Sequence, residues 1–245
     1  MYRMFAYMWR DLLRWIRSPM NVLSTMVMPS AWLLFMGLLM PAPYPNYLDY
    51  ITPGILVLTM LNAGMSGGSS IMFDKVLGYL NKFLAVPAPR ESILFGKILF
   101  ITVRGLLQST VILFIAIIAG ATVLSPLAYL KLYLLLFIFG VLISSFATTI
   151  SLFLDNHDSY AAAQAFIVMP MYLLSTALVS YDTMLERGAD VVYWIAKVNP
   201  MSYAIDGARL AAEGSFPMMQ FAVLIIAAIV LVILCSLKFR KATIR

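Results

Sequence analysis

Charged side chains are scarce in this sequence: Asp, Glu, Lys and Arg make up 11% of its 245 residues, where soluble domains carry about 25%. With 62% hydrophobic residues and a mean hydropathy of +0.92, that shortage excludes a soluble globular domain. Cysteine and histidine are almost missing. The lone Cys235 has no partner for an internal disulfide. The lone His157, flanked by Asp155 and Asp158, reads as a solvated turn rather than a metal site. A glycine-rich phosphate loop is missing too, since Gly96-Lys97 is followed by Ile98 and Glu91 stands where the leading glycine would be; the chain does not hydrolyse ATP by that route. No metal-ligand or nucleophile constellation is present, which argues against an intramembrane enzyme. No strict period-two alternation bounded by turns occurs, which argues against a transmembrane β-barrel.

What the sequence does have is six apolar stretches, at 22–40, 51–73, 98–119, 127–154, 160–179 and 218–237. Each is close to the roughly 20 residues with which a helix crosses about 30 Å of hydrocarbon. The expected fold is therefore an all-α integral membrane protein with six transmembrane helices per subunit, forming a single domain over residues 1–245. The spans hold essentially no ionisable groups; Arg104 and Lys131 are placed within snorkelling reach of an interface. A secondary ion transporter would show such groups near the midplane.

Orientation follows from Lys and Arg, which cytoplasmic segments retain. Arg3, Arg10, Arg14 and Arg17 precede the first span, Lys75, Lys82, Arg90 and Lys97 lie between the second and third, and Lys238, Arg240, Lys241 and Arg245 follow the last. The loop 41–50 has no Lys or Arg, and in 180–217 acids outnumber bases. Both termini are thus expected in the cytoplasm, in a multi-pass protein whose basic residues anchor it to anionic lipid. The net charge of +6 forms no continuous stripe, so nucleic acid is not an expected partner. The basic start runs through an amphipathic stretch into a full-length span, so no cleavable leader is expected.

Three segments outside the spans carry information. In 1–19, Phe5, Met8, Trp9, Leu12, Leu13 and Ile16 recur at helical spacing among Arg10, Arg14 and Arg17, the pattern of an interfacial helix with Trp9 and Trp15 near the acyl boundary. Ser18-Pro19 ends it. In 74–97, Leu77, Leu80, Phe83 and Leu84 form a small apolar face beside Lys82, and Pro87-Ala88-Pro89-Arg90 breaks the helix before the third span. Such a face needs a partner surface, or else lies on the membrane or on its own bundle. In 180–217, two helical pieces separated by Asn199-Pro200 are apolar enough to dip back into the outer leaflet or to cap the bundle. Gly64, Gly67 and Gly68 permit close helix approach, and Pro170 can kink the fifth span.

Together these residues resemble the membrane subunits of ABC exporters of the type-2 class, which includes drug, lipid and polysaccharide exporters. The likeness covers almost the whole chain. It rests on Arg17-Ser18-Pro19, on Tyr50-Ile51-Thr52-Pro53-Gly54, on Gly78, Leu84, Pro87, Arg90 and Gly96-Lys97, and on Asn199-Pro200-Met201-Ser202-Tyr203 with Asp206 and Arg209. The resemblance implies a permease that pairs as a dimer, most simply a homodimer, in the cytoplasmic membrane of a prokaryote. It also implies two separate ATPase subunits, which bind ATP and Mg2+, while this chain carries no cofactor or metal of its own. By that resemblance 74–97 is a cytoplasmic coupling helix, in which Leu77, Leu80, Phe83 and Leu84 fill an apolar cleft on the ATPase and Lys82 and Arg90 meet acidic groups at its rim. The interfacial helix bearing Trp9, Arg10, Arg14 and Arg17 also contacts the ATPase, and the external re-entrant helices with Asn199, Pro200, Asp206 and Arg209 act as an outer gate. The first, second and fifth spans line the route and the dimer interface. Asn62, Ser66, Ser69, Ser70 and Gln164 either face that route or bond between packed helices.

A nearly charge-free bundle rich in Met and aromatic residues suits a hydrophobic or amphipathic cargo, drug-like or lipid-like, because it compensates a desolvated charge poorly. Glycolipid or polysaccharide export is the second reading. A non-transporting scaffold that recruits a cytoplasmic partner through 74–97 is the reading from another class.

Overall fold

The computed structural model describes residues 2–39, 46–77 and 90–241, and every regular element among them is helical. In chain order they are α1 (Tyr2–Ile16), α2 (Pro19–Leu34, continued by a wider π-type turn, Phe35–Leu39), α3 (Tyr47–Val76), α4 (Arg90–Ile118) and α5 (Pro126–Phe153). Then follow α6 (His157–Leu173), α7 (Tyr181–Glu186), α8 (Asp190–Val198), α9 (Pro200–Ala212) and α10 (Met218–Lys241). Alternating passes put α1, the start of α4 and the end of α10 at one end of the bundle, here the near end. The segments α7 to α9 lie at the far end.

Helices α2 with its extension, α3, α4, α5 and α10 are long and apolar enough to cross a membrane. The sixth expected span, 160–179, is shorter than the sequence suggested: α6 stops at Leu173 after 17 residues, roughly 25 Å of helix, and 174–179 form turns. The reason is tertiary. Pro170 removes a backbone donor in the last turn, and the Asn199 side-chain amide donates to Met171 O at 2.7 Å and Leu174 O at 3.1 Å, capping carbonyls that a longer helix would have used itself.

Helix α3 is the axis of the bundle, buried along nearly its whole length. Its glycines let neighbours approach without a Cβ between them: Gly64 faces Ile143 of α5, Gly67 faces Ile101 of α4, and Gly68 faces Tyr160 of α6 and the Ala147 carbonyl of α5. The Tyr160 hydroxyl uses that space to donate to Met65 O at 2.6 Å. These are the small-residue contacts through which membrane helices gain dispersion energy that hydrophobicity alone does not supply.

Helix α1 forms as its periodicity indicates, with Phe5, Trp9 and Ile16 exposed. The adjoining stripe packs on α4, where Leu12, with Met8 and Trp15 beside it, meets Phe100 and Ile101. A side chain at Gly96 would sit 2.9 Å from Met4 O, so that glycine sets how closely α1 lies on α4. Pro19 begins α2, the position where a missing amide hydrogen costs nothing. At the far end, the two helical pieces expected within 180–217 are α8 and α9, and α7 precedes them. Helix α9 buries Met201, Ile205, Ala208 and Ala211, while α8 leaves Val191, Trp194 and Val198 exposed.

Candidate functional site

Helices α2, α3, α4 and α6 surround a cavity of about 320 Å³, within the range of small-molecule sites. Its near-end wall is polar: Thr25 from α2, Asn62 and Ser66 from α3, Arg104 and Gln108 from α4. Its far-end wall is apolar, from Trp32, Leu58, Tyr172 and Leu173. Trp32 and Tyr172 meet edge to face with ring centres 6.5 Å apart.

Each polar side chain is held in place. Gln108 Nε2 donates to Thr25 Oγ1 at 2.6 Å, joining α4 to α2. Asn62 donates to Leu58 O at 3.1 Å and Ser66 to Asn62 O at 2.7 Å, each back along its own helix. Asn62 and Ser66 therefore line the cavity, and their donors serve α3 itself rather than a neighbouring helix.

The other candidates are placed elsewhere. Ser70 opens onto a second cavity, of about 340 Å³ at the near end, shared with Asp11, Arg14, Asp74, Lys97 and Arg104. Ser69 Oγ lies 3.5 Å from His157 Nδ1, and that ring stacks on Phe73 at 4.2 Å. Gln164 is half-buried on α6, one turn before Val168 of the central cavity wall.

In α1, Arg10 chelates the buried Asp11 through Nε at 2.9 Å and Nη2 at 2.7 Å, Arg14 faces the near-end cavity, and Arg17 is exposed. Trp9 is exposed, whereas Trp15 packs inward against α4. Of the expected coupling residues, Leu77 ends α3 as an exposed side chain. Leu80, Lys82, Phe83 and Leu84 lie outside the described residues, and for Arg90 only its place at the start of α4 is described. The flanks of that segment are tied down: Lys97 pairs with Asp74, Lys75 donates to Leu154 O at 2.6 Å, and Arg240 donates to Glu91 at 2.6 Å.

At the far end, Asn199 caps α9 by accepting from Met201 N at 2.9 Å while it holds the end of α6. Thr176 donates to Asp206 at 2.7 Å. The Arg209 guanidinium lies 3.7 Å from the centre of the Tyr50 ring and donates to Tyr50 O and Ala177 O. Arg209 Nη1 is 3.8 Å from Asp206. Burial pushes the Asp206 carboxyl above the usual range, and Thr176, Arg209 and Tyr181 draw it part of the way back. Pro200, the first residue of α9, lines an apolar groove of about 730 Å³ with Phe146, Met171 and Trp194.

One of the two charged residues expected near an interface is placed differently. Lys131, near the far end of the bundle, donates to Gly214 O and Ser215 O at 2.8 and 3.2 Å. Arg104 does not snorkel to an interface: it is 9% exposed and donates to Ala63 O at 3.0 Å, in the body of α3. Arg104 and Gln108 are the site residues the sequence reading passed over. The available signal was two polar side chains four apart on one face of an otherwise apolar helix. Among the described residues no group of three His, Cys, Asp or Glu could hold a metal ion.

Comparison with known proteins agrees with this architecture. The chain is similar to the ycf38 transport permeases of Cyanophora paradoxa, 29% identical over 201 residues (79% of this chain, 68% of that one), and of Porphyra purpurea, 29% over 215 residues (84% and 70%). It is also similar to the daunorubicin resistance ABC transporter permease DrrB1 of Streptomyces coeruleorubidus, 20% identical over 215 residues (86% and 75%). Residues 2–212 match the model of the ABC-2 type transporter family; the chain belongs to that family and is a multi-pass membrane permease.

Proposed function

We propose that this permease is the membrane half of an exporter that moves a hydrophobic or amphipathic substrate, drug-like or lipid-like, across the cytoplasmic membrane of a prokaryote. Two separate ATPase subunits supply ATP and Mg2+, and a second copy of this chain completes the dimer. The cavity between α2, α3, α4 and α6 carries the reading. It is large enough for part of an amphiphile, it has one polar and one apolar wall, and it lies among the spans that the family resemblance assigns to the route. The drug-resistance relative supports a small amphipathic cargo.

Coupling is assigned to 74–97 and to α1, both on the cytoplasmic side of the topology that Lys and Arg define. Leu77, Leu80, Phe83 and Leu84 supply the apolar contact, Lys82 and Arg90 the charge. Closure of the ATPases pushes on this segment, and the Lys97–Asp74 pair at its base passes the push to α3 and α4. At the far end, Asn199, Pro200, Asp206 and Arg209 hold α9 against α6 and α3 as the outer gate.

ATP hydrolysis by the co-purified ATPase, measured in lipid nanodiscs with the native chain and with Phe83→Asp, tests the reading. The native complex is expected to form and to respond to the permease, and the variant to bind poorly and lose that response. If no ATPase associates, or the substitution changes nothing, coupling through 74–97 is refuted and a recruiting scaffold takes its place.

A further inference from the structure

Arg104 carries a charge that the fold does not neutralise. An arginine guanidinium stays protonated at physiological pH, and burying it without an anion is costly. Here the side chain gives one hydrogen bond to the Ala63 carbonyl, and its Nε is buried with no partner. Among the described residues no carboxylate lies within ion-pairing distance of it. The carboxylates of the near-end cavity are engaged by others, Asp74 by Lys97 and Asp11 by Arg10.

Its position gives that charge a use. Arg104 lines both the near-end cavity and the central cavity, so its guanidinium borders each of them. On one side is the polar wall of Thr25, Asn62 and Gln108; beyond it lie Trp32, Leu58 and Leu173. We infer that the central cavity selects amphiphiles with an anionic head, a carboxylate or a phosphate, whose oxyanion pairs with Arg104 while the apolar tail lies along Trp32, Leu58 and Leu173. The inference rests on the reading of this cavity as the substrate route and adds the charge class of the substrate. A planar guanidinium presents parallel donors matched to either oxyanion. A cationic amphiphile meets repulsion at the same guanidinium.

Trp32 is a built-in reporter. With Trp9, Trp15 and Trp194 replaced by Phe it becomes the sole tryptophan of the chain. In phosphatidylcholine nanodiscs, its fluorescence is titrated with a brominated fatty acid, a brominated alkyl phosphate, the matching fatty alcohol and the matching alkylamine. Unbrominated analogues compete, to establish saturation. The acid or the phosphate is expected to quench at a concentration at least about tenfold below that of the alcohol, the yield of one charged hydrogen-bonded pair. Arg104→Gln is expected to remove that preference and Arg104→Lys to keep part of it. Equal quenching by acid, phosphate and alcohol, or a preference that survives Arg104→Gln, overturns the inference. The comparison of acid with alcohol needs no Arg104 variant, so a misfolded Arg104→Gln does not shield the proposal. Saturable quenching by alcohol or amine without anion preference refutes the charge class alone and leaves the route standing. No saturable quenching by any of the four refutes both.

Discussion

Lys97 of α4 and Asp74 of α3 form an ion pair across the base of residues 78–89, with side chains only 9% and 17% exposed. A charge pair this sheltered is expensive to break from one side. Lys97→Met, which strands the carboxylate, is expected to cost about 3 kcal/mol in detergent unfolding. Lys97→Met combined with Asp74→Asn should recover most of that loss. A double-mutant cycle reads the coupling directly; additive losses would show that the pair contributes nothing to holding α3 on α4.

The α3 glycines are predicted to be intolerant in a residue-specific way. Gly67→Val places a branched side chain where Ile101 of α4 already lies, and overpacking of that kind costs about 1–3 kcal/mol. Gly214, whose Cβ would meet no neighbour, has φ +87 instead; there Gly214→Ala pays for backbone strain alone, about 1–2 kcal/mol. Thermal unfolding of the two variants side by side, with Gly67→Val the more damaged, is the check.

Asn199 holds three backbone groups on two elements, Met171 O, Leu174 O and Met201 N. Asn199→Ala leaves them without that partner, at an expected cost of about 1–3 kcal/mol. Hydrogen exchange should localise the damage, with amides of 174–179 and the first turn of α9 exchanging faster while α3 is unchanged. Uniform acceleration throughout the chain would mean that Asn199 stabilises the fold at large rather than this junction.

Asp206 gives the far end a pH dependence. Because burial raises its carboxyl in the folded chain, the folded state binds the proton more tightly than the unfolded one. Its contribution is therefore greatest below the ordinary carboxylate value of about 4 and is lost as pH rises through the elevated value. Relative to Asp206→Asn, the native unfolding temperature should fall as pH is raised from about 4 towards neutrality. A difference that grows in the opposite direction would mean that pairing with Arg209 outweighs burial.

Much of this architecture was legible because hydrocarbon imposes coarse rules. Apolar length located α2, α3, α4, α5 and α10, and the periodicity of Phe5, Met8, Leu12 and Ile16 located α1. Glycine spacing showed that α3 would be approached closely. What pattern could not show was tertiary. The end of α6 is set by Asn199, 26 residues after Leu173, and no local signal marks which carbonyls a distant amide will take. Arg104 was placed near an interface because hydropathy measures depth along a helix and not the direction in which a side chain points. The neighbouring α3 backbone, with an accepting carbonyl at Ala63, and the Phe100 ring 5.9 Å away hold Arg104 in the buried position.

Helix α2 buries only Pro29 and Leu33 among its residues and presents Met20, Leu23, Val27 and Met28 outward. Those outward groups form the apolar surface that meets acyl chains and, in the proposed dimer, the second copy. What resists a slide of α2 past α4 is the burial of Leu33 in the core and the close approach of Gly37 to Leu48, together with the Gln108–Thr25 hydrogen bond, about 1 kcal/mol, and the Trp32 contact to Tyr172. These contacts are the detent of α2: they fix the one position in which a helix joined to α1 through Ser18-Pro19 rests against the bundle.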